Sequence, residues 1–222
     1  MSSENQQRNP VLLVHGITDT EIVFRRMAAY LRQQGWSVYT LDLVPNNGDV
    51  GLDVLAKQLS DYVATTFVPK QPLDLVGFSM GGIVSRYYVQ RLGGIKRVQR
   101  FITISSPHNG TVIAYGSQRP GCVQMRPNSN FIQDLNADAV MLQQLNFTSM
   151  WTPYDLMIIP AHSSKMSIGE ELILPVALHS WMLKDSRVFP AVAAALSEPL
   201  KHYPQSGYTQ NSQKLPMSGN NI

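Results

Sequence analysis

Between Val11 and Ile104 short apolar runs alternate with segments of helical periodicity, and this alternation constrains the fold more than any other feature of the chain. Val11-Leu12-Leu13-Val14 is apolar throughout and ends at His15-Gly16, the pattern of a parallel strand buried on both faces. Phe24, Met27, Ala28 and Leu31 recur at helical spacing from about Glu21 to Gln34, and Gly35 stands where a helix is closed. Trp36 to Leu43 follows as a second strand. Leu52, Leu55, Leu59, Tyr62, Val63 and Phe67 mark a helix that stops before Pro69. Leu73 to Phe78 is a third strand, Met80 to about Leu92 a helix closed by Gly93-Gly94, and Val98 to Ile104 a fourth strand. Strands and helices in strict alternation give an α/β fold, a mostly parallel sheet with helices on both faces.

The rest of the chain extends the pattern. Phe131 to Leu145 reads as helix, Phe147 to Thr152 and Leu172 to Leu178 as strands, and Val188 to Leu196 as helix, which makes about six strands. One domain over residues 10–200 accounts for all of them, with a polar stretch at 1–9 and a Gln-, Ser-, Asn- and Gly-rich tail at 201–222 expected to be disordered. Residues 105–130 are the one long span without periodicity, rich in Gly, Pro, Asn and Ser, and are expected to cover a substrate site. Within it Ile113, Tyr115 and Met125 could either face lipid or cover the core locally.

The chemistry centres on Gly77-Phe78-Ser79-Met80-Gly81. Gly-x-Ser-x-Gly arises by chance in a chain this long roughly once in ten, so its setting decides its meaning. It closes an apolar strand and opens a helix, the strand-turn-helix context of a nucleophile elbow. Gly77 and Gly81 leave room for a sharp turn that thrusts the serine hydroxyl outward, and Gly82 permits close packing. A serine needs a base, normally histidine, and a carboxylate behind it. His179 follows the last strand and so emerges at the same carboxyl edge as Ser79, where ligands bind in open α/β sheets. His162 is expected to be a loop histidine, His108 lies in the long loop and His202 in the tail. Asp155 follows the fifth strand and completes the chain order Ser, Asp, His. Asp134 and Asp138 fall on a helix, Asp42 ends the second strand, and Glu170 and Glu171 precede the last strand at the wrong edge. The backbone N–H groups of Met80 and Ile17 are the expected oxyanion donors, with His15 and Gly16 shaping the loop that carries Ile17.

Val-His-Gly at 14–16, Gly-Phe-Ser-Met-Gly-Gly at 77–82, Ser-Pro-His-Asn-Gly at 106–110, Tyr154-Asp155 and His179 together resemble the small bacterial lipases related to lipase A and the class 2 triacylglycerol lipases, over about residues 10–198. The resemblance implies a minimal α/β-hydrolase sheet lacking the first two strands, with Ser79 as nucleophile, Asp155 as acid and His179 as base. It also implies hydrolysis of carboxylic esters in acylglycerols. Lacking a secretion signal and carrying a longer segment at 111–130, the chain departs from those lipases in a way that makes membrane glycerolipids a second substrate class. A thioesterase or acyltransferase would use the same triad, and a non-catalytic binding protein would keep only the fold.

Other classes find little support. No Gly-x-Gly-x-x-Gly or Walker A run occurs, nor His-Glu-x-x-His or Cys-x-x-Cys, so no cofactor and no metal are expected. A net charge of +3 is too small to argue for nucleic acid. The basic run Arg91, Lys96, Arg97 and Arg100 lies at the edge opposite the triad and is expected to be solvated surface. Cys122 is the single cysteine, so no intramolecular disulfide can form. A polar start and the lack of any span of membrane length make the expected location cytoplasmic or peripheral to a membrane, with a lipid or ester substrate as partner.

Overall fold

In the strands, alternate side chains serve opposite faces of one sheet: Leu12 and Val14 join the apolar cluster on one side, Val11 and Leu13 that on the other. Leu73 and Leu75 divide from Val76 and Phe78 in the same way. Both faces are therefore covered. A computed structural model describes residues 8–201. The strands are β1 (Val11–Val14), β2 (Val38–Leu41), β3 (Leu73–Phe78), β4 (Val98–Ile104), β5 (Asn146–Trp151) and β6 (Glu170–Ile173). All five ladders are parallel, in the order β2-β1-β3-β4-β5-β6. The fold is that expected of a six-stranded α/β-hydrolase.

Helices α2 (Leu52–Thr66), α3 (Met80–Arg91) and α5 (Asn130–Ala137) pack on the first face through Leu55, Leu59, Ile83, Val84 and Leu135. On the second face lie α1 (Arg25–Gln33) and α6 (Val188–Ser197), through Met27, Leu31, Val188 and Val192. The short helix α4 is Pro120–Gln124. Each fully buried aliphatic side chain here is worth about 2 kcal/mol of hydrophobic stabilisation. The strand order reverses between β1 and β3, which opens a crevice beyond their carboxyl ends.

Several expectations need correction. The last strand is Glu170–Ile173 rather than Leu172–Leu178. Leu174 N–H still bonds Trp151 O at 2.8 Å, but Pro175 has no N–H to offer and the chain leaves the sheet there. Glu170 and Glu171 thus begin the strand instead of preceding it, and five residues separate it from His179. The helix expected over Phe131–Leu145 breaks at Asp138 into α5 and a 3-10 turn, Ala139–Gln144, where the Asp138 carboxylate turns to Gln90 and Arg91. The first turn of the helix expected from Glu21 is 3-10, Glu21–Phe24. The long span 105–130 holds a 3-10 turn, Val112–Gly116, as well as α4. Met125 is buried in the core cluster, while Ile113 and Tyr115 are exposed.

Of the basic run only Lys96 is exposed as expected; the three arginines are engaged within the fold. Arg91 bridges Asp134 and Asp138, Arg97 donates to the carbonyls of Gln71, Val63 and Val68 near the end of α2, and Arg100 pairs with fully buried Asp74. These arginines tie elements together. Arg8 stacks on Trp36 and Asn9 bonds Asp74 and Gln99, so the start of the described chain is held against the domain. Lys201 N–H likewise bonds Asn146 Oδ1 at 3.1 Å, and the rest of the stretches expected to be disordered lies outside the described residues. Among the described residues no helix is long and apolar enough to cross a membrane.

Candidate active site

Ser79 joins β3 to α3 with φ 53° and ψ −124°, a left-sided backbone that a side chain adopts only under constraint. The constraint is visible. Ser79 N–H bonds Ile104 O at 2.8 Å on the neighbouring strand, and a Cβ on Gly81 would run into the carbonyl oxygens of Val14 and His15. Gly77 lies against Gly82 in the same turn, and Gly82 against Ser106. The motif glycines thus let β1, α3 and the end of β4 close on the serine. Met80 is the first residue of α3, so its N–H has no carbonyl to bond within the helix.

Asp155 and His179 meet at this edge. His179 Nδ1 lies 2.7 Å from Asp155 Oδ2. The other carboxylate oxygen accepts from Met157 N–H and Ile158 N–H, each at 2.9 Å. Burial alone would raise the Asp155 carboxyl, but the bond from His179 and these two amides outweigh it and hold it below the usual carboxylate value. A carboxylate only accepts, so Nδ1 carries the proton and Nε2 is left free to take another. The His179 ring sits 4.8 Å, centroid to centroid, from Phe78, the residue before the serine. The imidazole is thus held by Asp155 through one nitrogen and lies next to the residue that precedes Ser79.

His15 holds the loop next to them. It is fully buried, donates from Nδ1 to Gly16 O at 2.8 Å and accepts Leu43 N–H at Nε2. Both nitrogens are used within the fold, which leaves His15 shaping the turn and no base of its own. Asp42 accepts Glu21 N–H, Asp134 and Asp138 pair with Arg91, and His162 is exposed on a 3-10 turn. None of these reaches the His179 side chain.

Two features escaped the sequence reading. Asp19, half-buried on the loop after β1, faces the Gly16 amide, His15, His179 and Lys184. Burial pushes its carboxyl above the usual value, and these neighbours pull it only part of the way back. Arg86 is fully buried on α3, where it donates to Gln90 Oε1 at 2.8 Å, Leu135 O at 2.6 Å and His108 O at 3.5 Å. Burial lowers its pKa to about 10, Asp138 opposing and Arg91 assisting, so it stays cationic at neutral pH. Its spacing from Ile83 and Val89, three residues each way, was the available signal that it lies on the inward face.

His108, within Ser-Pro-His-Asn-Gly, is the counterpart of that cation. It is completely buried, with Nε2 2.9 Å from Thr103 Oγ1 and Nδ1 unpartnered among the described residues. Burial, then Arg86, lowers its pKa well below the usual 6.5. The unfolded chain binds a proton there that the folded chain refuses, so stability falls as pH drops below about 6.5, by roughly 1.4 kcal/mol per unit. Thermal midpoints measured from pH 7 to pH 5 should fall more steeply for the wild type than for His108→Gln. Equal slopes would show that His108 is protonated in the fold.

Residues 10–154 match the palmitoyl protein thioesterase family. The chain belongs to that family. The match to the palmitoyl protein thioesterases takes in Ser79 and stops one residue short of Asp155. Among curated proteins, a triacylglycerol lipase of Pseudarthrobacter phenanthrenivorans is 33% identical over 118 residues, covering 48% of this chain and 35% of the lipase. The chain thus spans about a third of the length of the curated relatives it matches. A Bacillus licheniformis lipase in mature form superposes with a TM-score of 0.71 at 16% identity, over 88% of this chain and 95% of that one. Aspergillus fumigatus lipase B gives 0.72 at 17%, over 86% and 53%. The likeness to the two solved structures establishes the α/β-hydrolase fold.

Proposed function

We propose that the protein is a serine-dependent lipase or esterase that hydrolyses carboxylic ester bonds of acylglycerols or membrane glycerolipids. The observation that carries this reading is the hydrogen-bonded Asp155–His179 pair beside a serine held at positive φ. His179 Nε2 takes the Ser79 proton as Oγ attacks the ester carbonyl, and the oxyanion is held by the N–H groups of Met80 and Ile17. The imidazolium, steadied by Asp155, returns its proton to the departing alcohol and leaves an acyl-enzyme. Water then attacks with His179 again as base, and the acid is released. A serine-directed fluorophosphonate should mark the wild type and miss Ser79→Ala, whereas equal labelling would remove Ser79 from the reaction.

The surface around the site supports a lipid substrate. Tyr154 and Leu156 follow the end of β5 on either side of Asp155, Leu178 and Trp181 flank His179, and all four are exposed, Leu156 to 67%. Large apolar side chains exposed next to Asp155 and His179 fit contact with a lipid surface. In Leu156→Asp/Leu178→Asp the ratio of activity on dispersed triacylglycerol to activity on a soluble short-chain ester should fall at least about tenfold, since each inserted leucine contributes about 1.5 kcal/mol. An unchanged ratio would end the idea of surface docking.

The family match favours a second reading, hydrolysis of thioesters by the same triad. Oxygen and sulfur esters of one acyl chain, offered side by side with products resolved, separate the two. Preference for the thioester by tenfold or more would replace the lipase reading.

A further inference from the structure

One acidic group stands beside the nucleophile and has no part in the reaction just described. Asp19 Oδ2 and Ser79 Cβ both lie 3.0 Å from the point where a Cβ on Gly16 would sit, so the two atoms are at most twice that distance apart. Asp19 also sits two residues after Ile17, on the loop whose N–H is assigned to the oxyanion. Among the described residues it forms no ion pair. Its charged and titratable neighbours are His15, which spends both nitrogens inside the fold, His179, and the more weakly coupled Lys184. A half-buried carboxylate without a paired cation projects its field into the space that a scissile carbonyl must enter.

We propose that Asp19 is a specificity-determining residue that makes the site reject esters carrying a negative group near the scissile carbonyl and accept uncharged ones. This inference rests on the reading of Ser79 as nucleophile. Two like charges about 8 Å apart at the effective dielectric of a protein surface change an equilibrium by a factor of ten or more. Neutral acylglycerol esters escape that factor, whereas an ester with an acidic substituent within such a distance bears it. Burial raises the Asp19 carboxyl, and His15, His179, the Gly16 amide and Lys184 offset that only in part.

The test uses two esters of one shape, the butyrates of 4-hydroxybenzamide and 4-hydroxybenzoate, which differ in a single charge on the leaving group. At pH 8 the ratio of kcat/KM, anionic over neutral, should rise about tenfold from wild type to Asp19→Asn. In the wild type alone the same ratio should rise between 0.02 and 0.5 M salt through screening, and that measurement does not depend on the variant folding. A ratio that neither the substitution nor salt changes overturns charge selection. Full turnover by Ser79→Ala would instead overturn the nucleophile reading on which the inference stands, so the two failures are distinguishable.

Discussion

Ser79→Ala is expected to lower kcat for ester hydrolysis by about a million-fold, with the thermal midpoint unchanged to within a few degrees. The size follows from what is lost: without Oγ no acyl-enzyme forms, and what survives is the background help of oxyanion donors and substrate positioning, about 10³ to 10⁴ over water. Asp155→Asn should cost less, about 10⁴, because the base remains but loses the acceptor that fixes its Nδ1 proton. Residues acting as one unit are not additive. The double variant Ser79→Ala/His179→Ala should therefore be no slower than Ser79→Ala. A further drop of a hundredfold in the double variant would mean that His179 serves a step in which Ser79 has no part.

How far these residues could be read in advance depends on which forces each one obeys. β3 and β4 are mainly apolar, with Asp74 in one and Gln99, Arg100 and Thr103 in the other, and they end at Phe78 and Ile104 as their apolar residues predict. β6 is exposed along its whole length and begins with two glutamates, so hydrophobic patterning had nothing to register. His179 reaches Asp155 and the Phe78 ring although five residues, Leu174 to Leu178, separate it from β6. The arginines were misjudged for a different reason. Their partners are distant in sequence, Asp74 from Arg100 by 26 residues and Asp138 from Arg91 by 47, whereas periodicity reports only on neighbours. Asp19 carried no signal, because a loop acid becomes notable only once Gly16 and Ser79 are brought against it.

Gly81→Ala is the substitution with the largest expected effect on stability. An alanine Cβ there would overlap the carbonyl oxygens of Val14 and His15, and neither can retreat. Val14 is in the β1 ladder with β2 and β3, and His15 is fixed by its bonds to Gly16 and Leu43. The clash must be relieved by separating β1 from α3, which should cost about 4 kcal/mol and lower the thermal midpoint by about 8 to 16 °C. Gly116 provides the contrast, since nothing lies within 4 Å of its Cβ position. Gly116→Ala should therefore leave the midpoint the same or slightly higher, alanine restricting the unfolded chain more than glycine. Activity should follow the same division, because the gap forced open by Gly81→Ala lies between the Ile17 loop and Ser79. If Gly81→Ala melted with the wild type and kept its activity, the close packing of β1 on the nucleophile turn would be wrong, and with it the position assigned to the oxyanion donors.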